Sequence, residues 1–528
     1  MKIKEIALLF KSGVIKVTMK QHFNFFNIVF HLALCSSLCF SIAGFCQDKL
    51  IVKTKTGYVK GGLEGRSLVF KGLPYAAAPV GSLRFKPPQA AKSWRDTLNC
   101  LEFGPMAAQF GTALSPLKGD EDCLRLNIYK PDITTKKKLP VVVWIHGGAM
   151  TGGSGMFQNG HAFSDRDSII TITINYRLGV FGFLYLGDID PKLKTSGNNG
   201  LQDCIMALQW IKENISAFGG DVSRITVMGE SAGAKLASTL LVSPMAKGKF
   251  QQLILESGSV QCIRDSVTAK EIRKRLMTIL NIDHPAQLLN LPAEALIKAQ
   301  ALVCNGAAGT NYFGPVEDGM VIKGDPYEMI SQQPDQQVKL LIGTNKEESV
   351  MFMEMDKRLY HPAPEVLSAW FGKNYPLVLS AYQDAIKAGS ADSITVHILT
   401  QYMYQMHSYR LAEALAKAGR EVWMYRFDYD QDGSPASHAK ELSFIWSLDA
   451  DKPDQGLDGR QKLTYQMHSA WVNFIKSGSP GPVNEHDWLP YQFDYKNVMR
   501  FDAISRPVLF ETIFNDENYP SAGFILDN

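Results

Sequence analysis

Cysteine is scarce in this sequence, with eight in 528 residues. That is too few for a fold stapled by disulfides, although isolated bridges are compatible with the count. Net charge is nearly absent as well: 55 basic against 52 acidic residues leave a formal +3, and no basic footprint for nucleic acid emerges. No heptad or other short period recurs, and with 43 Gly, 25 Pro and 10% aromatics the chain reads as neither collagen, coiled coil nor intrinsically disordered. After Lys49 there is no low-complexity stretch, charge block or Gly/Ser linker. One large domain is therefore expected, although a rule of about 150 residues per domain would give three or four. What is present suits a sizeable globular core, with 45% hydrophobic and 20% charged residues.

The one long apolar run lies at the start. Phe23 to Cys46 carries no charge, follows Lys20, and ends in small residues before Gln47-Asp48-Lys49. This pattern reads as a secretory signal cleaved after Cys46, with Met19-Lys20 a conventional beginning for it; the competing reading is an uncleaved membrane anchor. Residues 1–46 are thus expected to be an N-terminal extension and signal peptide, and 47–528 a single exported domain, periplasmic or extracellular, with no stable membrane span. The first 46 residues hold five lysines and one glutamate, so the remainder has 50 basic and 51 acidic residues and a net charge of −1.

Along the remainder, short β-branched runs alternate with helical patterns, the signature of a mostly parallel sheet flanked by helices. Val141 to His146, Ser168 to Tyr176, Arg224 to Met228, Gln252 to Glu256, Val338 to Gly343 and Glu421 to Phe427 read as strands. Leu201, Ile205, Leu208, Ile211 and Ile215 recur at helical spacing. Helices are also expected at Ala232 to Val242, Thr268 to Gln300, Tyr404 to Lys417 and Leu463 to Lys476.

Between the strand RITVM and the helix at Ala232 stands Gly229-Glu230-Ser231-Ala232-Gly233. G-x-S-x-G is weak alone, but strand before and helix after are what a nucleophile elbow requires. Glycines let the chain turn tightly and hold the serine in a strained conformation above the strand ends. A serine hydroxyl needs a base. His407 and His468 fall within helical patterns, and His146 closes a strand, whereas His438 lies in a turn-rich loop beyond the strand ending near Phe427. The orienting acid should stand between Ser231 and His438 in the chain; Glu347 and Glu348, in the loop after Val338 to Gly343, are both candidates. His146-Gly147-Gly148-Ala149 follows VVVWI, where minimal side chains expose backbone N–H groups to a developing oxyanion.

Further segments carry a resemblance: Phe70-Lys71-Gly72-Leu73-Pro74-Tyr75-Ala76, Glu121-Asp122-Cys123-Leu124-Arg125-Leu126-Asn127, Asn175-Tyr176-Arg177-Leu178-Gly179-Val180-Phe181-Gly182 and Phe218-Gly219-Gly220-Asp221. With the elbow they make residues 50 to 525 similar to type-B carboxylesterases of the α/β-hydrolase superfamily, which include cholinesterases and bacterial para-nitrobenzyl esterases. The resemblance implies Ser231 as nucleophile and His438 as base, the latter through His438-Ala439-Lys440-Glu441-Leu442. It selects Glu348 over Glu347, and it implies an oxyanion hole from the amides of Gly148, Ala149 and Ala232, with His146 supporting that loop. The implied substrate is a small-molecule ester, hydrolysed with no metal and no organic cofactor. A lipase, a hydrolase of a specialised ester, or a non-catalytic binding protein of the same fold are the alternatives.

Departures from the family pattern qualify these expectations. Ala149 replaces a third glycine and narrows the space beside the acyl carbon. Ser349 and Cys204 replace a common glycine and glutamine. Ala107 stands where a cysteine usually begins the bridge to Cys123, leaving that bridge absent or made by Cys100; a Cys262 to Cys304 bridge is a second candidate. The segment from Ala107 to Cys123 has no tryptophan for a cation–π face, so choline esters are disfavoured.

Overall fold

Eleven strands make one sheet: β1 (Gly62–Glu64), β2 (Ser67–Pro74), β3 (Arg125–Pro131), β4 (Leu139–Ile145), β5 (Ile170–Ile174), β6 (Gly220–Glu230), β7 (Gln252–Glu256), β8 (Lys339–Asn345), β9 (Val422–Phe427), β10 (Asn497–Phe501) and β11 (Arg506–Leu509). The computed structural model describes residues 49–332, 337–387, 392–430, 433–448, 458–492 and 494–510. The expected leader, residues 1–46, lies outside the described residues, as do Gln47, Asp48 and Asp432. The chain divides into two units, Met1–Ile51 and Val52–Asn528, and the elements treated below belong to the second.

The strand order is β11-β10-β9-β8-β7-β6-β4-β5-β3-β2-β1. Pairing is parallel from β10 through β5. It is antiparallel where β3 meets β5 and β2, where β2 meets β1, and where β10 meets β11. The six apolar runs in the sequence each contribute a central strand, β4 to β9. β4 and β5 are buried along their whole length, as strands covered on both faces must be. Because β5 and β6 lie on opposite sides of β4, the loops leaving the carboxyl ends of β4 and β6 diverge there. A crevice at such a reversal is where open α/β sheets bind ligands.

Helices flank the sheet: α1 (Asn199–Asn214), α2 (Ala232–Thr239), α3 (Ser266–Leu280), α4 (Ala293–Val303), α5 (Ser349–Met355), α6 (Pro364–Phe371), α7 (Tyr375–Lys387), α8 (Asp392–Thr400), α9 (Met406–Lys417) and α10 (Gly459–Ser477). Alternate residues of one strand share a face, so Val142 and Trp144 of β4 join Met228, Ile254, Leu341 and Trp423 in a core completed by Trp471, Phe474 and Ile475 of α10. A second apolar cluster gathers Phe352, Trp370, Tyr402 and Tyr404 from α5, α6 and the turn before α9. That turn, Gln401–Gln405, is a π-helical segment, a feature that often marks functional sites. Among the described residues no helix is long and apolar enough to cross a membrane.

Of the cysteine bridges that the sequence left open, none forms. Cys100, Cys123, Cys204, Cys262 and Cys304 are all unpaired, so neither a Cys100 to Cys123 nor a Cys262 to Cys304 bridge is present. Cys262 instead meets the Thr239 hydroxyl at 3.5 Å and the Lys235 carbonyl at 3.6 Å.

Candidate active site

Ser231 sits between β6 and α2 with φ 54° and ψ −119°, a conformation that costs a non-glycine residue energy unless its surroundings impose it. The surroundings here are crowded backbone. A Cβ on Gly233 would come 1.9 Å from the Ile145 carbonyl oxygen, and one on Gly229 would come 2.5 Å from the Gly233 carbonyl carbon. The two outer glycines of the elbow are thus demanded by contact. The Ser231 amide donates to the Glu256 carbonyl of β7 at 2.8 Å, which fixes the turn against the sheet.

Three loops at the carboxyl ends of β6, β8 and β9 converge. Ser231 Oγ and His438 Nε2 lie 2.8 Å apart, and His438 Nδ1 is 2.6 Å from Glu348 Oε2. Glu348 is fully buried, and its second oxygen accepts from the Asn345 amide at 2.8 Å and the Ser257 hydroxyl at 2.5 Å. Of the two candidate glutamates, Glu348 is the one that reaches His438. Glu347 braces the same loop from outside, exchanging hydrogen bonds with the Ala436 backbone at 3.0 and 3.2 Å. Ser349, which replaces glycine, donates from its hydroxyl to the Val396 carbonyl at 2.9 Å and so ties the acid to α8.

The loop after β4 lies against the elbow: a Cβ on Gly147 would be 3.3 Å from Ser231 Cβ. Gly148 has φ 108° and Ala149 φ 55°. Among the described residues the amides of Gly148, Ala149 and Ala232 have no hydrogen-bond acceptor; that of Ala232 is one of the orphan donors of a helix start. His146 stacks on Tyr176 at 4.5 Å and its Nδ1 meets the Gly147 carbonyl at 2.8 Å. Burial pulls its pKa down to about 4, so it stays neutral beneath the loop. His468 is a structural bridge between the Ile445 carbonyl and Asp167.

Sequence reasoning missed the charge around this site. Glu230, Glu256 and Glu441 are buried beside Glu348. Glu230 Oε1 lies 3.1 Å from His438 Nε2, and burial pushes its carboxyl up to about 7 against the opposing pull of His438. Burial and the neighbouring Glu348 and Glu230 push Glu441 up to about 8. Burial lowers the His438 pKa, but Glu230 and Glu348 outweigh it and the net shift is upward. Phe352 and Tyr404 pack on the imidazole at 5.4 and 4.7 Å. Lys235, one turn beyond Ser231, stands over the Tyr404 ring at 5.1 Å. Its only signal in the sequence was a cation inside an otherwise small, apolar helix start. Among the described residues no three His, Cys, Asp or Glu side chains converge as a metal-ion set.

The model of the Carboxylesterase family matches residues 48–512. The chain belongs to that family. As a carboxylesterase it is a carboxylic ester hydrolase of α/β-hydrolase fold. It is 34% identical over 475 residues to the para-nitrobenzyl esterase of Bacillus subtilis, a match that covers 86% of this chain and 95% of the relative. It is 30% identical to liver carboxylesterase 1 of Oryctolagus cuniculus, with 88% and 92% covered. Carboxylesterase EST55 of Geobacillus stearothermophilus superposes with a TM-score of 0.77 at 33% identity, covering 87% of this carboxylesterase and 97% of that chain. A PNB esterase structure superposes at 0.75 with 33% identity and the same coverage.

Proposed function

We propose that this carboxylesterase works through an acyl-enzyme formed on Ser231. The observation that carries the reading is the unbroken chain from Ser231 Oγ through His438 to Glu348, at 2.8 and 2.6 Å, on a strained elbow at the carboxyl end of the central strand β6. His438 Nε2 takes the hydroxyl proton as Oγ attacks the ester carbonyl, and the imidazolium that forms is held by Glu348 at Nδ1. The carbonyl oxygen becomes an oxyanion beside the amides of Gly148, Ala149 and Ala232, each such donor contributing about 10² to 10³ in rate. His438 returns the proton to the departing alcohol. Water then enters, gives its proton to His438 and attacks the acyl carbon; His438 returns that proton to Ser231 Oγ as the acyl C–O bond breaks, releasing the acid and a free Ser231. Helix α2 adds its N-terminal positive potential beneath the oxyanion.

Ser231→Ala tests this. The variant should fold and lose hydrolysis of short para-nitrophenyl esters together with labelling by a fluorophosphonate. Turnover close to wild type would reject Ser231 as the nucleophile.

We further infer that Phe23 to Cys46 directs export, supported by its uncharged apolar run and small-residue ending, and that 47–528 is one catalytic domain. N-terminal sequencing of protein collected outside the cytoplasm should begin near Gln47; retention of the run on that protein would refute cleavage.

A further inference from the structure

A cavity is lined by Lys235, from the helix that Ser231 opens, and by the Tyr404 ring beside His438, and its walls are of two kinds. Phe352 and Tyr404, the rings that pack on His438, continue into Trp370 and Tyr402 as an aromatic wall. Lys235 and Arg264 bring positive charge to the same space.

Lys235 belongs to the first turn after Ser231, its amide donating to the Ser231 carbonyl at 2.9 Å. One helical turn rises about 5.4 Å, so position 235 lies about one turn beyond the nucleophile, and its side chain lines the cavity. Its ammonium stands over the Tyr404 ring; among the described residues no carboxylate forms an ion pair with it, and Glu230 and Glu348 act on it through space. Arg264 is buried, at 4% exposure, and its guanidinium donates to the carbonyl oxygens of Gln261, at 3.2 Å, and Asn311. Glu230 and Glu348, the carboxylates nearest the nucleophile, are engaged at His438. Lys235, half-buried against the Tyr404 ring, carries a desolvation cost that Leu or Met at that position would avoid. An anion entering the cavity would offset that cost, and the low polarity of the walls would strengthen the attraction.

We propose that the esters this enzyme prefers carry a carboxylate or similar anionic group on the arm that enters this cavity, where Lys235 and Arg264 receive it. The inference rests on the proposed function and adds its substrate class. An apolar pocket without these cations would disfavour any charged arm.

Two pairs of esters distinguish the acyl arm from the alcohol arm: para-nitrophenyl hydrogen glutarate with para-nitrophenyl pentanoate, and 4-carboxyphenyl butanoate with its methyl ester. In at least one pair the anionic member should have a kcat/KM equal to or above that of the neutral one. Lys235→Met should lower that anionic-to-neutral ratio tenfold or more, and Lys235→Arg should restore most of it. Should the methionine variant not fold, wild-type protein alone decides: glutarate should compete with para-nitrophenyl pentanoate at a tenfold lower concentration than pentanol does. Anionic members at least tenfold poorer in both pairs, a ratio unmoved by Lys235→Met, or pentanol competing better than glutarate would each overturn the inference, while hydrolysis of the neutral esters left the esterase reading standing. Wild-type protein that hydrolysed none of the four esters and took no fluorophosphonate would end both.

Discussion

Glu348→Gln exchanges one carboxylate oxygen for an NH2 group at unchanged volume, so its effect falls on hydrogen bonding. Oε1 receives the Asn345 amide at 2.8 Å and the Ser257 hydroxyl at 2.5 Å. The Asn345 amide can only donate, so the oxygen of the new side chain is kept there and its NH2 turns to His438 Nδ1, where Glu348 Oε2 stands 2.6 Å away. An NH2 group cannot accept the Nδ1 proton. The imidazole therefore moves its proton to Nε2, the nitrogen 2.8 Å from Ser231 Oγ, and can no longer act as base. The same exchange in a serine protease lowers kcat about 10⁴-fold, or about 5.4 kcal/mol at 1.36 kcal/mol per decade. Flipping the amide offers an escape, but it sets NH2 against the buried Asn345 N–H at a cost of about 1–3 kcal/mol. The loss in kcat/KM is thus bounded between about fivefold and about 10⁴-fold. The assay is steady-state hydrolysis of para-nitrophenyl butanoate, with circular dichroism to establish folding. A folded variant within threefold of wild type would refute the reasoning that Glu348 sets the tautomer of His438.

Glu230→Gln should move the acid limb of the kcat/KM–pH profile to lower pH. The buried Glu230 carboxylate, 3.1 Å from His438 Nε2, raises the histidine against the downward pull of burial; removing that charge lets His438 lose its proton at lower pH, and an unmoved limb would show that Glu230 does not act on it. Arg177→Leu should cost about 3–5 kcal/mol in urea denaturation. The Arg177 and Asp203 side chains are 3% and 0% exposed and joined at 2.7 Å, so the variant would strand a buried carboxylate; a loss under about 1 kcal/mol would refute this. Protein lacking residues 1–46 should titrate five thiols when denatured without reductant, since all five cysteines are unpaired. Its melting temperature should be insensitive to dithiothreitol, and a titre of three or one would reveal a bridge.

Much of the architecture was legible because its causes are local. A run such as VVVWI, buried on both faces, reads as a central strand wherever it occurs, and each of the six runs became one of β4 to β9. The elbow was legible for the same reason, since strand, glycine-flanked serine and small-residue helix are contiguous. The antiparallel strands β1 and β2 and the π turn at Gln401–Gln405 were not read, because their pairing and distortion depend on neighbours distant in the chain. Spacing left Glu347 and Glu348 equal, and the family resemblance was needed to choose between them. In space the two differ plainly: one is buried on His438 and the other braces Ala436 from outside.

The sequence by itself determined the parallel sheet, the elbow at Ser231, the glycine loop after His146 and the candidacy of His438, because each follows from residues within a few positions of one another. Tertiary structure alone decided how charge is distributed around them. Glu230, Glu256, Glu348 and Glu441 come from four separate segments, and only folding buries them together and raises the carboxyls of Glu230, Glu256 and Glu441. Lys235 and Arg264 likewise reach one cavity from a helix and a loop. It also decided that the cysteines stay apart. Burial and through-space distance set these properties, and neither is carried by local pattern.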